Sequence, residues 1–187
     1  MTPTLESLKA AYDKLGYPYN DKFNLFAVRS KDYNTNSYND LCGYFSDTEY
    51  ACFEATTDPG FGKGTDHVPE GTAMMKSGFY PKLYIFGNHK GNPAHPCFRQ
   101  YKEAQYYRVR NGKLFDPASL FWGTPGTNIH STSENFTPTE VDNFSKGCIV
   151  IKRWASLQKL LDIAHHSGIS IFDFALLQEV EIATSPS

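Results

Sequence analysis

Two rhythms of apolar and polar positions run along this chain. Leu5, Leu8, Tyr12 and Leu15 recur at helical spacing, with Thr4 placed to cap the helix and Gly16 to end it. A second helical pattern is expected from about Arg153 to His166. There Trp154, Leu157, Leu161 and Ala164 share a face, and Gly168 is a plausible stop. Between the helices the pattern shortens to strand-like runs. These are Phe23 to Arg29, Leu41 to Phe45, Glu49 to Thr56, Thr72 to Met75, Leu83 to Gly87, Cys97 to Gln100, Tyr106 to Arg110, Lys113 to Phe115 and Gly126 to His130. A last strand is expected over Ile169 to Leu177.

The punctuation supports the same division. Ser46-Asp47-Thr48 and Asn111-Gly112 read as hairpin turns, and Lys31 to Asn39 as a polar loop. Thr57-Asp58-Pro59-Gly60 opens a glycine-rich loop through Gly64, with Asp58 read as a turn former. The expected class is mainly β (α+β): a sandwich or barrel of short strands with a helix near each end. Residues 1–40 are expected to form a helix and strand packed on a main domain of residues 41–180, with 181–187 as a loose tail.

Length and charge change this picture little. A chain of 187 residues can bury a sizeable core without metal or disulfide. Twelve Tyr and fourteen Phe suit half-buried sheets and grooves for polar ligands. A net charge of −2, with no basic stripe, argues against a nucleic-acid surface. No apolar stretch reaches membrane-span length. The first residues lack a basic region and an apolar run, so synthesis in the cytoplasm without a signal peptide is expected.

The candidate chemistry lies at His130 and Cys148, eighteen positions apart. A cysteine nucleophile needs a base, a group that fixes the base's tautomer, and donors for an oxyanion. His130 is the base candidate, and Ser145, Lys146 and Gly147 shape the turn before the thiol. The backbone amides of Lys146, Gly147 and Cys148 are candidate oxyanion donors. The third partner is a backbone carbonyl, Asp142 or Asn143. Asn128, Tyr84, His89 and Arg99 are candidate groove residues, with Arg108 and Trp122 as further options. Cys42, Cys52 and Cys97 read as core, His67 as solvated, and His165 and His166 as a helix end. His67, His89 and His95 show no ligand spacing, so neither metal nor cofactor is expected.

Glu54 to Gly60, Gly71-Thr72-Ala73, His89-Lys90-Gly91, Asn128-Ile129-His130 and Ser145-Lys146-Gly147-Cys148 stand in an order that resembles the L,D-transpeptidase (YkuD-like) catalytic domain, in a divergent phage or prophage branch. The likeness spans roughly residues 40–177. It implies a cysteine, Cys148, acylated by a peptidoglycan stem peptide and activated by His130. The chain departs from the family at Lys146, where a histidine is usual, and at Val150, where Arg or Asn is usual. Lys146 is then expected to supply charge that lowers the thiol's pKa.

The resemblance implies a peptidase or exchange enzyme acting on the cell wall after phage lysis or delivery as an effector, with a monomer sufficing. The alternatives are a non-catalytic wall-binding or virion module on the same scaffold, and an unrelated cysteine peptidase or amidase. Papain-like enzymes place the cysteine before the histidine, the reverse of the order here.

Overall fold

A computed structural model of the protein describes residues 2–60, 71–110 and 113–182. The expected glycine-rich loop beyond Gly60, His67, the Asn111-Gly112 turn and the tail from residue 183 lie outside the described residues. The first helix, α1 (Leu5–Leu15), forms where the sequence directs. Thr4 Oγ1 accepts from Ser7 N at 3.1 Å and Ser7 Oγ accepts from Thr4 N at 2.8 Å, a reciprocal cap. Gly16 ends the helix in the left-handed conformation.

Eleven strands follow among the described residues: β1 (Asn24–Arg29), β2 (Asp40–Phe45), β3 (Tyr50–Thr56), β4 (Thr72–Met75), β5 (Gly78–Asn88), β6 (Pro96–Gln100), β7 (Ala104–Val109), β8 (Phe121–Gly123), β9 (Ile129–Ser131), β10 (Ile149–Ile151) and β11 (Ile171–Gln178). The second helix, α2 (Trp154–His166), lies between β10 and β11. Eight strands close a barrel in the order β1-β11-β5-β6-β9-β10-β3-β2. The remaining three form a separate sheet, β4-β7-β8. Barrel closure removes the exposed edges that so many short strands would otherwise leave. The mainly β architecture with two helices agrees with the pattern in the sequence. Residues 24–29 share the barrel with seven strands of residues 40–178, because β1 is a stave between β2 and β11.

Period-two alternation assigns the staves' side chains to two cores. Leu25 and Ala27 of β1, with Phe174 and Leu176 of β11, join the larger core along with Phe98, Ile129, Ile149 and Leu157. Phe26, Val28, Ala175 and Leu177 face the other way, against Leu8, Ala11 and Tyr12 of α1. Helix α2 adds Leu157, Leu160, Leu161 and Ala164 to the larger core, so the stripe includes Leu160.

Three expectations change. The Lys113–Phe115 arm does not form a strand; Lys113 makes only an isolated bridge to Arg110. Phe115 has φ +55 and Asp116 caps a short 3-10 turn at Pro117, so extended pairing stops there. β7 pairs instead with β4 and β8. Strand β5 starts earlier than expected and crosses a register shift opposite Phe172 and Phe174. There Pro81 offers no N–H and Lys82 N donates to Asp173 Oδ1 at 2.7 Å. Strand β9 is shorter than expected, because Gly126 has φ +82 and falls outside it.

Asp58 is more than a turn former. It is 1% exposed, and its Oδ1 lies 2.9 Å from Nε of the fully buried Arg29. Arg29 also donates to Thr57 Oγ1, Thr57 O and Met75 O, at 2.9, 3.0 and 2.9 Å. Asp40 accepts from Ser30 N, Thr57 N and Thr57 Oγ1, each at 2.7 Å. This buried cluster ties the ends of β1, β3 and β4 together and fixes the chain leading to Gly60.

Candidate active site

The site begins with the parallel pairing of β9 and β10, which sets Ile149 beside Ile129 and Val150 beside His130. Ile129, Ile149 and Ile151 face the larger core. Alternation turns His130, Val150 and the preceding Cys148 to the opposite face. There Cys148 and Val150 pack with Tyr38 and Val141. Val150 is fully buried in that contact and meets no solvent.

The turn before the thiol is held by Ser145, which is fully buried. Its Oγ donates to Cys148 O at 2.7 Å and accepts from Gly147 N at 3.3 Å. Gly60 N donates to Ser145 O at 3.0 Å, joining the turn to the segment fixed by Arg29. Gly147 has φ +108, and a Cβ there would stand 2.3 Å from Ala73 O. The glycine is therefore demanded by the close passage of β4 as well as by its own backbone.

Cys148 Sγ lies 3.6 Å from Gly126 O, to which it donates. The Gly126–Asn128 segment is pinned by Gln100, a residue that sequence reasoning missed. Gln100 Oε1 accepts from Gly126 N (3.0 Å), Thr127 N (2.9 Å) and Thr127 Oγ1 (3.2 Å). In return Asn128 Oδ1 accepts from Gln100 N at 2.9 Å. No single-residue signal in the sequence marks Gln100; its role comes from the pairing of β6 with β9.

His130 is 4% exposed, and its Nδ1 lies 2.9 Å from Ser131 O. That carbonyl places the proton on Nδ1 and the lone pair on Nε2. Among the described residues Nε2 is a buried atom with no hydrogen-bond partner. The carbonyl thus fills the role for which Asp142 and Asn143 were the alternatives. The Asp142 carboxylate is engaged elsewhere, its Oδ1 accepting from Asn36 Nδ2 at 3.2 Å.

His89 sits on the 3-10 turn His89–Gly91 after β5 and stacks on His130, ring centroids 3.9 Å apart. Asn128 Nδ2 lies 3.3 Å from His89 Nδ1. A ring nitrogen of each histidine and Cys148 Sγ all fall within 4.8 Å of one another. No ligand spacing along the chain marks such a trio, because the three residues come from separate segments. A cleft of about 270 Å³ opens onto the ring pair, walled by His89, Lys90, His95, His130, Asn143 and Phe144. Cys148, 8% exposed, lies outside that wall.

Burial dominates the electrostatics. It pushes the Cys148 thiol up to about 11, against the opposing effects of the Asn128 backbone N–H and Lys90. It pushes His130 down to about 3, helped by His89, Lys90 and His95 and opposed by the bond to Ser131. The resting pair is therefore neutral thiol and neutral imidazole. The expected lowering of the thiol by Lys146 is not found: Lys146 is exposed, and the cation acting on Cys148 is Lys90.

The other candidates scatter. Tyr84 is fully buried in the larger core, where its hydroxyl donates to Thr127 O at 3.1 Å; it supports the site from behind and lines no groove. Arg99 is exposed and lies across Gly87, outside the cleft. Arg108 stacks on Phe121, 4.1 Å from the ring centroid, in the β4-β7-β8 sheet. Trp122 of the same sheet borders a separate cleft with Tyr101. Cys42, Cys52 and Cys97 are free thiols, with Cys42 and Cys97 fully buried. Among the described residues no helix is long and apolar enough to cross a membrane. Scanned against protein-family models and searched against the curated proteins, the chain gives no match.

Proposed function

We propose that the protein is a cysteine enzyme acting on peptidoglycan stem peptides through a thioester acyl-enzyme. The observation that carries this reading is the pairing of Cys148 with a histidine whose tautomer is fixed. The Ser131 carbonyl holds the Nδ1 proton, and the unpartnered Nε2 lone pair remains to take the thiol's proton. The choice of peptidoglycan rests on the resemblance of the ordered segments from Glu54 to Cys148 to L,D-transpeptidase domains.

In this mechanism the S–H proton of Cys148 passes to His130 Nε2 as sulfur attacks the amide carbonyl. The C–N bond then breaks, the leaving amine takes the proton from Nε2, and a thioester remains. Water completes a hydrolysis; a second amine completes an exchange. Either acceptor gives up a proton to Nε2 as it attacks, and the thiol recovers it. Because the resting pair is neutral, the proton moves in concert with the attack of sulfur rather than before it.

The test is to incubate purified protein with peptidoglycan and read the released fragments by mass spectrometry. Wild type releases cleaved or exchanged stem peptides, while Cys148→Ala and His130→Ala do not. Equal activity in Cys148→Ala and wild type rejects the reading. Binding to peptidoglycan with no change in its fragments favours the non-catalytic module.

A further inference from the structure

The trio of His89, His130 and Cys148 offers two imidazoles and a thiol, the donor set that zinc favours over hard cations. Three observations go beyond their proximity. His130 is nine-tenths buried, yet its Nε2 has no partner among the described residues. Its other nitrogen already faces the Ser131 carbonyl at 2.9 Å, the outer contact that zinc-bound histidines characteristically make. The cleft beside the ring pair leaves room for a water as fourth ligand and carries His95 in its wall.

The geometry points to a Zn²⁺ site formed by His89, His130 and Cys148, which caps the thiol when filled. Bonds of about 2.0–2.1 Å to nitrogen and 2.3 Å to sulfur require the donors to close to roughly 3.3–3.7 Å. The present spread of up to 4.8 Å therefore contracts by about 1 Å, and His89 swings out of its stack on His130 so that the in-plane lone pairs of the two rings converge on the metal. His89 can supply much of that movement, since it sits half-buried on a short turn and its Asn128 contact, at 3.3 Å, is long. Binding releases the Cys148 proton to solvent, converts the thiol to a metal thiolate and transfers no electrons. His130 keeps its Nδ1 proton on Ser131 and gives the Nε2 lone pair to the metal.

Capping the thiol silences the enzyme proposed above; that consequence rests on the reading of Cys148 as nucleophile, and metal binding does not. Zn²⁺ and Co²⁺ are titrated into the chelator-treated full chain. The expected result is one metal per chain, a sulfur-to-cobalt charge-transfer band, and protection of Cys148 from iodoacetamide when Zn²⁺ is present. Cys148→Ser loses the band. His89→Ala, a half-buried position where the fold is not at stake, weakens Zn²⁺ binding on the order of tenfold or more.

Failure of wild type to show the band or the protection overturns the site. Unchanged Zn²⁺ affinity in His89→Ala overturns the ligand set. Zn²⁺ that binds and leaves Cys148 as reactive as before overturns the capping role. Loss of all peptidoglycan activity under metal-free conditions, with band and protection intact, counts against the acyl-enzyme reading alone.

Discussion

The imidazole of His89 lies face to face with that of His130, centroids 3.9 Å apart and planes 22° from parallel. The stack covers one face of the candidate base and orients it, since His130 can turn only by displacing its neighbour. Removing the ring in His89→Ala is expected to cost no more than about 1 kcal/mol of stability. Activity on peptidoglycan should fall roughly tenfold as the base loses its fixed orientation. His89→Phe, which keeps a ring on that face, should lose less. Urea denaturation and fragment release measure the two effects separately, and a stability loss matching the activity loss would assign His89 a structural role only.

Gly147→Ala should damage the turn before the thiol. The positive φ costs about 1–2 kcal/mol in a non-glycine residue, and the new Cβ would meet Ala73 O at 2.3 Å. The expected loss is at least about 2 kcal/mol, read from the urea midpoint. A variant as stable as wild type would show that β4 can move away.

Ser145→Ala removes the donor to Cys148 O and the acceptor of Gly147 N in a fully buried setting. Unsatisfied buried groups of this kind cost about 1–3 kcal/mol each. A loss of about 2 kcal/mol is expected, with faster alkylation of Cys148 as the turn loosens.

Gln100→Leu keeps much of the volume but leaves the N–H groups of Gly126 and Thr127 without their acceptor. About 3 kcal/mol should be lost. Activity should fall further than stability explains, because Gly126 O no longer sits at its fixed place beside Cys148. Measuring activity well below the thermal midpoint separates the two.

The buried Arg29, Asp40 and Asp58 cluster should make stability depend on pH. Burial holds both aspartates above the ordinary value of 3.8, and for Asp40 the Asp58 carboxylate adds to it. The folded state therefore binds a proton more tightly than the unfolded chain. That stabilisation is complete below about 3.8 and is lost as pH rises through the raised folded values. Asp58→Asn leaves Arg29 facing one carboxylate, so its thermal midpoint should vary less between pH 4 and pH 7. A steeper slope in the variant would contradict this.

Local signals were legible where they act within a few residues. Thr4 and Gly16 bound α1 because caps satisfy their own turn's backbone groups. Ser46-Asp47-Thr48 joins β2 and β3 as expected. The Lys113–Phe115 arm misled because Asn111-Gly112 suggested a hairpin, whereas Phe115 and Asp116 turn the chain away. Tyr84 and Arg99 misled for another reason. A strand's sequence gives two faces but not which one looks at the site, and β5 turns Tyr84 into the core.

By itself the sequence determined the helices, most strands, and a histidine at the end of one apolar run with a cysteine at the head of another, because period and turn chemistry are local properties. Tertiary structure alone decided the barrel order, the stacking of His89 on His130, the hold of Gln100 on the segment facing Cys148, and the buried Arg29 cluster. His89 and His130, Gln100 and Thr127, and Arg29 and Met75 stand 41, 27 and 46 positions apart, and which strands pair brings them together. It also decided the charge state of the site, since burial outweighs every nearby cation at Cys148 and leaves a neutral thiol beside a neutral base.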